Sequence, residues 1–241
     1  MLLLGSPACG WGAWEAPLPP SEETEFFMVP GVAGILTLPV GAPDRRTPAI
    51  VILQDGQGPD GRARHYIDQL LGAGFAVLDV QTLETDALGR ALSALSAHPR
   101  VTGQPIGLLG FGQGARLATQ WSGAVAARAL LYPGCGGLSP AAVAGEAVLL
   151  MYGTADPSNP SDACASFAHA LGMAGASVRL RAFDQASYAW DRLAFGNEGR
   201  SRLPRPDGLS RVIAQPWPAL AELSASNVAG FFATNLLAQR P

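Results

Sequence analysis

The chain contains no lysine, and all sixteen of its basic residues are arginine. That excludes a Schiff-base lysine, a phosphate loop closed by its lysine, and a serine–lysine dyad. Histidine is scarce as well. His65 and His169 fall within predicted helices and His98 precedes Pro99 at a helix end, each alone and at no spacing that makes a metal site. The three cysteines, Cys9, Cys135 and Cys164, form no Cys-x-x-Cys pair for zinc or thiol exchange. The arginines are scattered and the net charge is −3, so the basic stripe that nucleic acid binding needs is absent. No stretch approaches the ~20 continuous apolar residues of a membrane span. No pattern implies a cofactor.

What is present is a chain with 48% hydrophobic and 15% charged residues, the balance of a compact α/β protein rather than a disordered one. At 241 residues it suits one larger domain. We assign residues 1–20 to an N-terminal arm or the remnant of a targeting segment, and 21–241 to a single domain. The opening Met1–Cys9 is apolar but short and lacks the positive residues of a signal peptide. The small residues that follow lean the expected location toward the periplasm or outside the cell, with the cytoplasm as alternative.

Thr24–Val29 and Ala33–Val40 read as two strands joined at Pro30-Gly31, an opening hairpin. After Pro48 strands and helices alternate, which predicts a mostly parallel central sheet of about 8 strands covered by helices on both faces. The strands are expected at Ala49–Leu53, Phe75–Val80, Ile106–Gly110, Ala127–Tyr132, Ala147–Met151 and Val178–Phe183. The helices are expected near Arg62–Leu71, Asp86–Ala97, Gln113–Trp121 and Ser161–Ala174. A last helix, Pro218–Leu237, carries Leu220, Leu223, Val228, Phe231 and Phe232 as its apolar stripe. Gln185–Trp217, dense in Arg, Pro and Gly, is too long for an ordinary connection and reads as a functional cover or a disordered segment.

The most informative turn follows the strand at Ile106, where Gly110-Phe111-Gly112-Gln113-Gly114 stands. A strand running into Gly-x-Ser-x-Gly would be a nucleophile elbow, with flanking glycines that let strand and helix approach. Here the centre is Gly112, which takes a positive φ without steric cost and carries no reactive atom. Gly110-x-Gly112-x-x-Ala115 also fits a dinucleotide-binding fingerprint. That reading is weaker, because at least two strand–helix units precede the motif and the next strand, Ala127–Pro133, lacks the ribose-binding acid.

Three further loops follow strand ends. Gln54-Asp55-Gly56 comes where a hydrolase places an oxyanion donor, Asp156 where it places the triad acid, and Tyr188 where it places the base. Together with Leu109-Gly110-Phe111-x-Gln113-Gly114, Tyr132-Pro133-Gly134-Cys135, Tyr152-Gly153-x-x-Asp156 and Ala186-x-Tyr188-Ala189-Trp190-Asp191, they make the chain resemble the dienelactone-hydrolase-like members of the α/β-hydrolase superfamily from Thr24 to Leu237. The resemblance implies an α/β-hydrolase fold. It also implies that Gly112 is a vacated nucleophile position, Asp156 the acid, and Tyr188 a vacated histidine position, since the family pattern is similar to Ala-x-His-Ala-Phe-Asp. A tyrosine of ordinary pKa, about 10, is a poor general base near neutral pH.

From these departures we expect a family member without Ser or Cys hydrolase activity that retains binding of a small ester, lactone or carboxylate. The expected ligand-binding residues are Gln54, Asp55, Gln113, Cys135 and Arg192, with Arg200 and Arg202 as further anion partners. We expect the Tyr188 hydroxyl to reach Asp156. Cys135 is open to three readings: a nucleophile, a buried thiol, or half of a disulfide with Cys164. Two alternatives stay open for function. One is an active hydrolase using Cys135 or a water held by Asp55 or Asp156; the other is a structural or interaction protein without a ligand.

Overall fold

A computed structural model describes residues 23–41, 45–141, 143–193 and 199–237. The arm assigned to residues 1–20 lies outside these. The chain opens with an antiparallel hairpin, β1 (Glu23–Val29) and β2 (Val32–Leu38), turned at Pro30-Gly31. It continues as β3 (Ala49–Leu53), α1 (Ala63–Gly72), β4 (Ala76–Val80), α2 (Thr85–Ala97), β5 (Ile106–Phe111), α3 (Gln113–Gln120), β6 (Ala127–Leu131), β7 (Ala147–Gly153), α4 (Ser161–Met173) and β8 (Ser177–Phe183). These eight strands form one sheet in the order β1-β2-β4-β3-β5-β6-β7-β8, parallel from β4 to β8.

The apolar runs explain the layering. Every residue of β3 and of β6 is buried, as befits strands covered on both faces. Odd and even positions feed two separate cores. Ile50, Ile52, Val77 and Leu109 pack under α1 and a last helix, α5 (Pro218–Phe232). Val51, Leu53, Leu78 and Leu108 pack under α2, α3 and α4. Crossovers that place helices on both faces gather the loops after β3, β5, β7 and β8 at one edge, where ligands collect in such sheets.

Three details depart from the sequence reading. The segment after β8 is organised: β9 (Ser201–Pro204) pairs with β10 (Arg211–Ala214), and Tyr188 bridges to Ala214. Its alternation was hidden by proline and arginine in short strands. Leu223 does not join the apolar stripe of α5 but is 52% exposed, while the small Ala221 and Ala225 turn inward. The last turn, Ala233–Leu237, widens into a π-helix.

Candidate functional site

Gly112 ends β5 and starts α3, with φ +51°, a conformation favouring glycine. Its N–H donates to the Leu131 carbonyl of the neighbouring strand at 3.0 Å, which fixes the turn at the middle of the sheet. The flanking glycines are required by contact. A Cβ at Gly110 would press on the Ala115 backbone, and one at Gly114 on the Gln54 carbonyl at 2.5 Å. The turn therefore has the tight geometry of an elbow.

The space above it is occupied. Asp55, at the end of β3, points its carboxylate at the turn: Oδ1 accepts the N–H of Gly56 at 2.8 Å and the N–H of Gln113 at 3.1 Å. These are the backbone donors, one in the β3 loop and one just after the central residue, that an oxyanion hole would use. Asp55 Oδ2 accepts from the Tyr188 hydroxyl at 2.6 Å and from Arg62 Nη1 at 3.2 Å. A Cβ placed on Gly112 would overlap the Tyr188 hydroxyl and stand 2.5 Å from Asp55 Oδ1. The Tyr188 hydroxyl and the Asp55 carboxylate thus occupy the volume that a side chain at residue 112 would need.

Tyr188 does not bond Asp156, as expected from its place in the chain order, but Asp55. Asp156 instead closes its own loop: Oδ1 accepts from Ser158 N–H at 2.9 Å and Oγ at 2.5 Å, and Oδ2 from Asn159 Nδ2 at 2.7 Å. Asn159 Oδ1 in turn accepts the Gly134 N–H at 2.8 Å, tying this loop to the one after β6. Asp156 is buried, and burial raises its pKa against the lowering effect of these donors.

Beneath Asp55 lies a buried polar cluster that sequence reasoning missed. Arg62, fully buried at the start of α1, bonds Asp55, Asp60 and the Tyr132 hydroxyl. The Tyr132 hydroxyl donates to Asp191 Oδ1 and Tyr66 donates to Oδ2, each at 2.7 Å, while Ser224 joins Tyr66 to Trp190. Burial opposes charge on Arg62, but Tyr132, Asp60 and Asp55 outweigh it and hold the guanidinium well above its ordinary value. Asp60 is lowered despite burial, by Arg62. Burial raises Asp191, and burial with the Asp55 carboxylate pushes Tyr188 well above the usual phenol range. One signal was available: Arg62 and Tyr66 are four apart and share a helix face, and that face turns inward.

The other candidates separate. Gln54 is buried and donates its Nε2 to Asp79 at 2.7 Å. Gln113 lays its side chain over Gly56. Cys135 is no ligand-binding thiol or nucleophile, because its sulfur is bonded to Cys164 in a disulfide with Cα atoms 5.0 Å apart. Arg192 faces Asp60 at 3.0 Å and donates to Ser201 at 2.7 Å, Arg200 bonds Gln215, and Arg202 is exposed on β9. Internal acceptors thus hold Arg192 and Arg200. Among the described residues no group of three or more His, Cys, Asp or Glu could hold a metal, and no helix is long and apolar enough to cross a membrane.

The family follows from the chain as a whole. The model of the dienelactone hydrolase family matches residues 79–200, from β4 to the start of β9. The chain belongs to the dienelactone hydrolase family. No curated protein matches it. Among solved structures, Est1E from Butyrivibrio proteoclasticus is similar with TM-score 0.63 at 13% identity, over 89% of this chain and 99% of its own. A thermophilic esterase, Est2, from Thermogutta terrifontis gives 0.62 at 19%, over 89% and 92%. A dienelactone hydrolase from Anabaena variabilis gives 0.61 at 18%, over 90% and 99%. At such identities the likeness shows the α/β-hydrolase fold. What this dienelactone hydrolase family member does with the fold depends on the turn at Gly112.

Proposed function

We propose that this dienelactone hydrolase family member does not hydrolyse esters, and that it uses the loops beside the former catalytic turn to bind a small molecule. One observation carries the reading: the Asp55 carboxylate sits on the N–H groups of Gly56 and Gln113 while the Tyr188 hydroxyl fills the place of a side chain at residue 112. Ester hydrolysis needs a nucleophile, a base that takes its proton, and donors free to meet the oxyanion. Gly112 supplies no nucleophile. Tyr188, raised by burial, holds its proton at neutral pH and donates it to Asp55. The donors already meet the Asp55 carboxylate oxygen.

The oxyanion donors and substrate binding alone can sustain about 10³–10⁴-fold catalysis over water when a triad is removed. With Asp55 seated on those donors, even that residue is lost. The test is turnover of p-nitrophenyl acetate and of a small lactone by the purified chain. The expected result is a rate equal to buffer containing heat-denatured protein. Saturable turnover that survives repurification, and falls on Tyr188→Phe or Asp55→Asn, overturns the reading.

A further inference from the structure

The sheet ends in two edge strands that are built differently. On β8 the exposed positions include Arg179 and Arg181, and charges on an edge oppose pairing with another chain. β1, at the other end, has no such guard. Its solvent face carries Thr24, Phe26 and Met28, and β2 adds Ala33 opposite Met28 and Ile35 opposite Phe26. Phe26 is 90% exposed, Met28 79% and Ile35 46%. No charge falls on this face of the hairpin, no proline interrupts the strand, and consecutive pairs join it to β2 without a bulge. On the opposite face Phe27 and Val29 turn inward to the core under α2.

The backbone of β1 is open along the same edge. Gln81 donates its N–H to the Ala33 carbonyl at 3.4 Å, so Ala33, Ile35 and Thr37 turn toward β4 while Val32, Gly34 and Leu36 turn toward β1. Through the pairs Val29 with Val32 and Phe27 with Gly34, the odd-numbered residues of β1 are then the ones bonded to β2. This leaves the N–H and C=O of Thr24, Phe26 and Met28 pointing away from the sheet, with no partner among the described residues. An exposed apolar strand with a free row of backbone groups is a template for another strand.

We infer that β1 pairs antiparallel with β1 of a second copy of this chain, about a two-fold axis at Phe26, joining the two sheets into one. The strand is complementary to itself in this register. Phe26 meets Phe26 of the other copy as a hydrogen-bonded pair and Thr24 meets Met28, which uses every free N–H and C=O of these three residues. The apolar side chains of the two hairpins then adjoin on one face. On the other face Glu25 falls opposite Phe27 and Glu23 opposite Val29, so no carboxylate stands directly across from another. Both glutamates also face a basic group of their own chain, Glu25 with His98 at 3.5 Å and Glu23 with Arg100 at 3.3 Å. Neighbouring registers lose this fit. An axis at Glu25 would set that carboxylate against its own copy, and an axis at Phe27 would set Thr24 against Pro30, which has no N–H to give. A strand from a different protein would need none of this symmetry. Such assembly is independent of what the loops beside Gly112 bind.

Sedimentation equilibrium of the full chain in low-salt buffer tests the pairing. One strand pair is smaller than a standard interface, so we expect a monomer–dimer equilibrium with a dissociation constant of about 1–100 µM. Phe26→Glu and Phe26→Lys, at an exposed position, should each keep the parent's circular dichroism. Each should weaken the dimer at least about tenfold, because residue 26 then faces a like charge in its own copy. An equimolar mixture of the two variants should associate at least about fivefold more tightly than either alone, since unlike charges now meet across the axis. Only a symmetric contact centred on residue 26 requires that recovery. A parent that stays monomeric up to about 300 µM, a dimer that survives both substitutions, or a mixture that associates no better than its components overturns the proposal.

Discussion

At the scale of single residues, Gly112, Tyr188 and Asp55 act as one unit, and this decides how repair should fail. Gly112→Ser alone forces a side chain into φ +51° and onto a buried, bonded hydroxyl. The left-handed backbone costs about 1–2 kcal/mol and the overlap about 1–3 more. We expect lower stability and no esterase activity. Tyr188→His alone frees the volume but provides no nucleophile. The double substitution should exceed the sum of the singles in ester turnover, because nucleophile and base depend on each other, and adding Asp55→Gly should raise it again by clearing the oxyanion donors. Melting temperature and ester turnover across the set check this; a Gly112→Ser single as stable as the parent contradicts the shared volume. Gly112 and Tyr188 stood out in the sequence because each sits in a local motif. It did not make the Tyr188–Asp55 bond legible, since the partners are 133 residues apart and Asp156 was the nearer analogue in chain order.

At the scale of elements, the strand–turn–helix at Gly112 was readable because its demands are local: an apolar strand, closely spaced glycines, then a helix. Gly110→Ala tests that packing. Its Cβ would lie 2.5 Å from the Ala115 Cα, a backbone atom of α3 that cannot turn aside as a side chain can. The expected cost is about 1–3 kcal/mol, read as a lower midpoint in urea with an unchanged slope. A midpoint equal to the parent's would mean that α3 sits farther from β5. The β9–β10 hairpin, by contrast, was not legible. Its strands are four residues each, too short for alternation to show, and they are held by long-range partners such as the Tyr188 bridge. Arg128 was equally opaque: a buried strand residue reads as apolar until Glu146, eighteen positions on, is seen to meet its Nε at 2.5 Å. Glu146→Ala should cost about 3–5 kcal/mol by leaving that guanidinium buried and unpaired.

At the scale of the whole molecule, stability should depend on pH in a direction set by the buried groups. Asp79, Asp156 and Asp191 are raised, each chiefly by burial, so the folded protein keeps protons that the unfolded chain has released. Between the ordinary carboxylate value near 4 and these raised values, stability therefore falls as pH rises. Asp60 works in the opposite sense. Lowered by Arg62, its contribution is complete above about pH 4 and is lost as pH falls through its folded value. On the alkaline side Tyr66, Tyr132 and Tyr188 are held well above their ordinary value by burial, so above about pH 10 only the unfolded chain ionises and stability drops. Melting temperatures from pH 3 to 11 at fixed ionic strength should peak in the mildly acidic range and decline to both sides. The disulfide should shift that whole curve without reshaping it, because it titrates in neither state. Closing a separation of 29 residues is worth about 3–4 kcal/mol in the chain-entropy account, or about 6–16 °C for a domain of this size. Cys135→Ser with Cys164→Ser should lower every point by that amount. Stability that does not fall as pH rises above about 4 would show that the buried carboxylates are better solvated than their packing indicates, and a double serine variant melting with the parent would show that the bridge adds nothing to the native state.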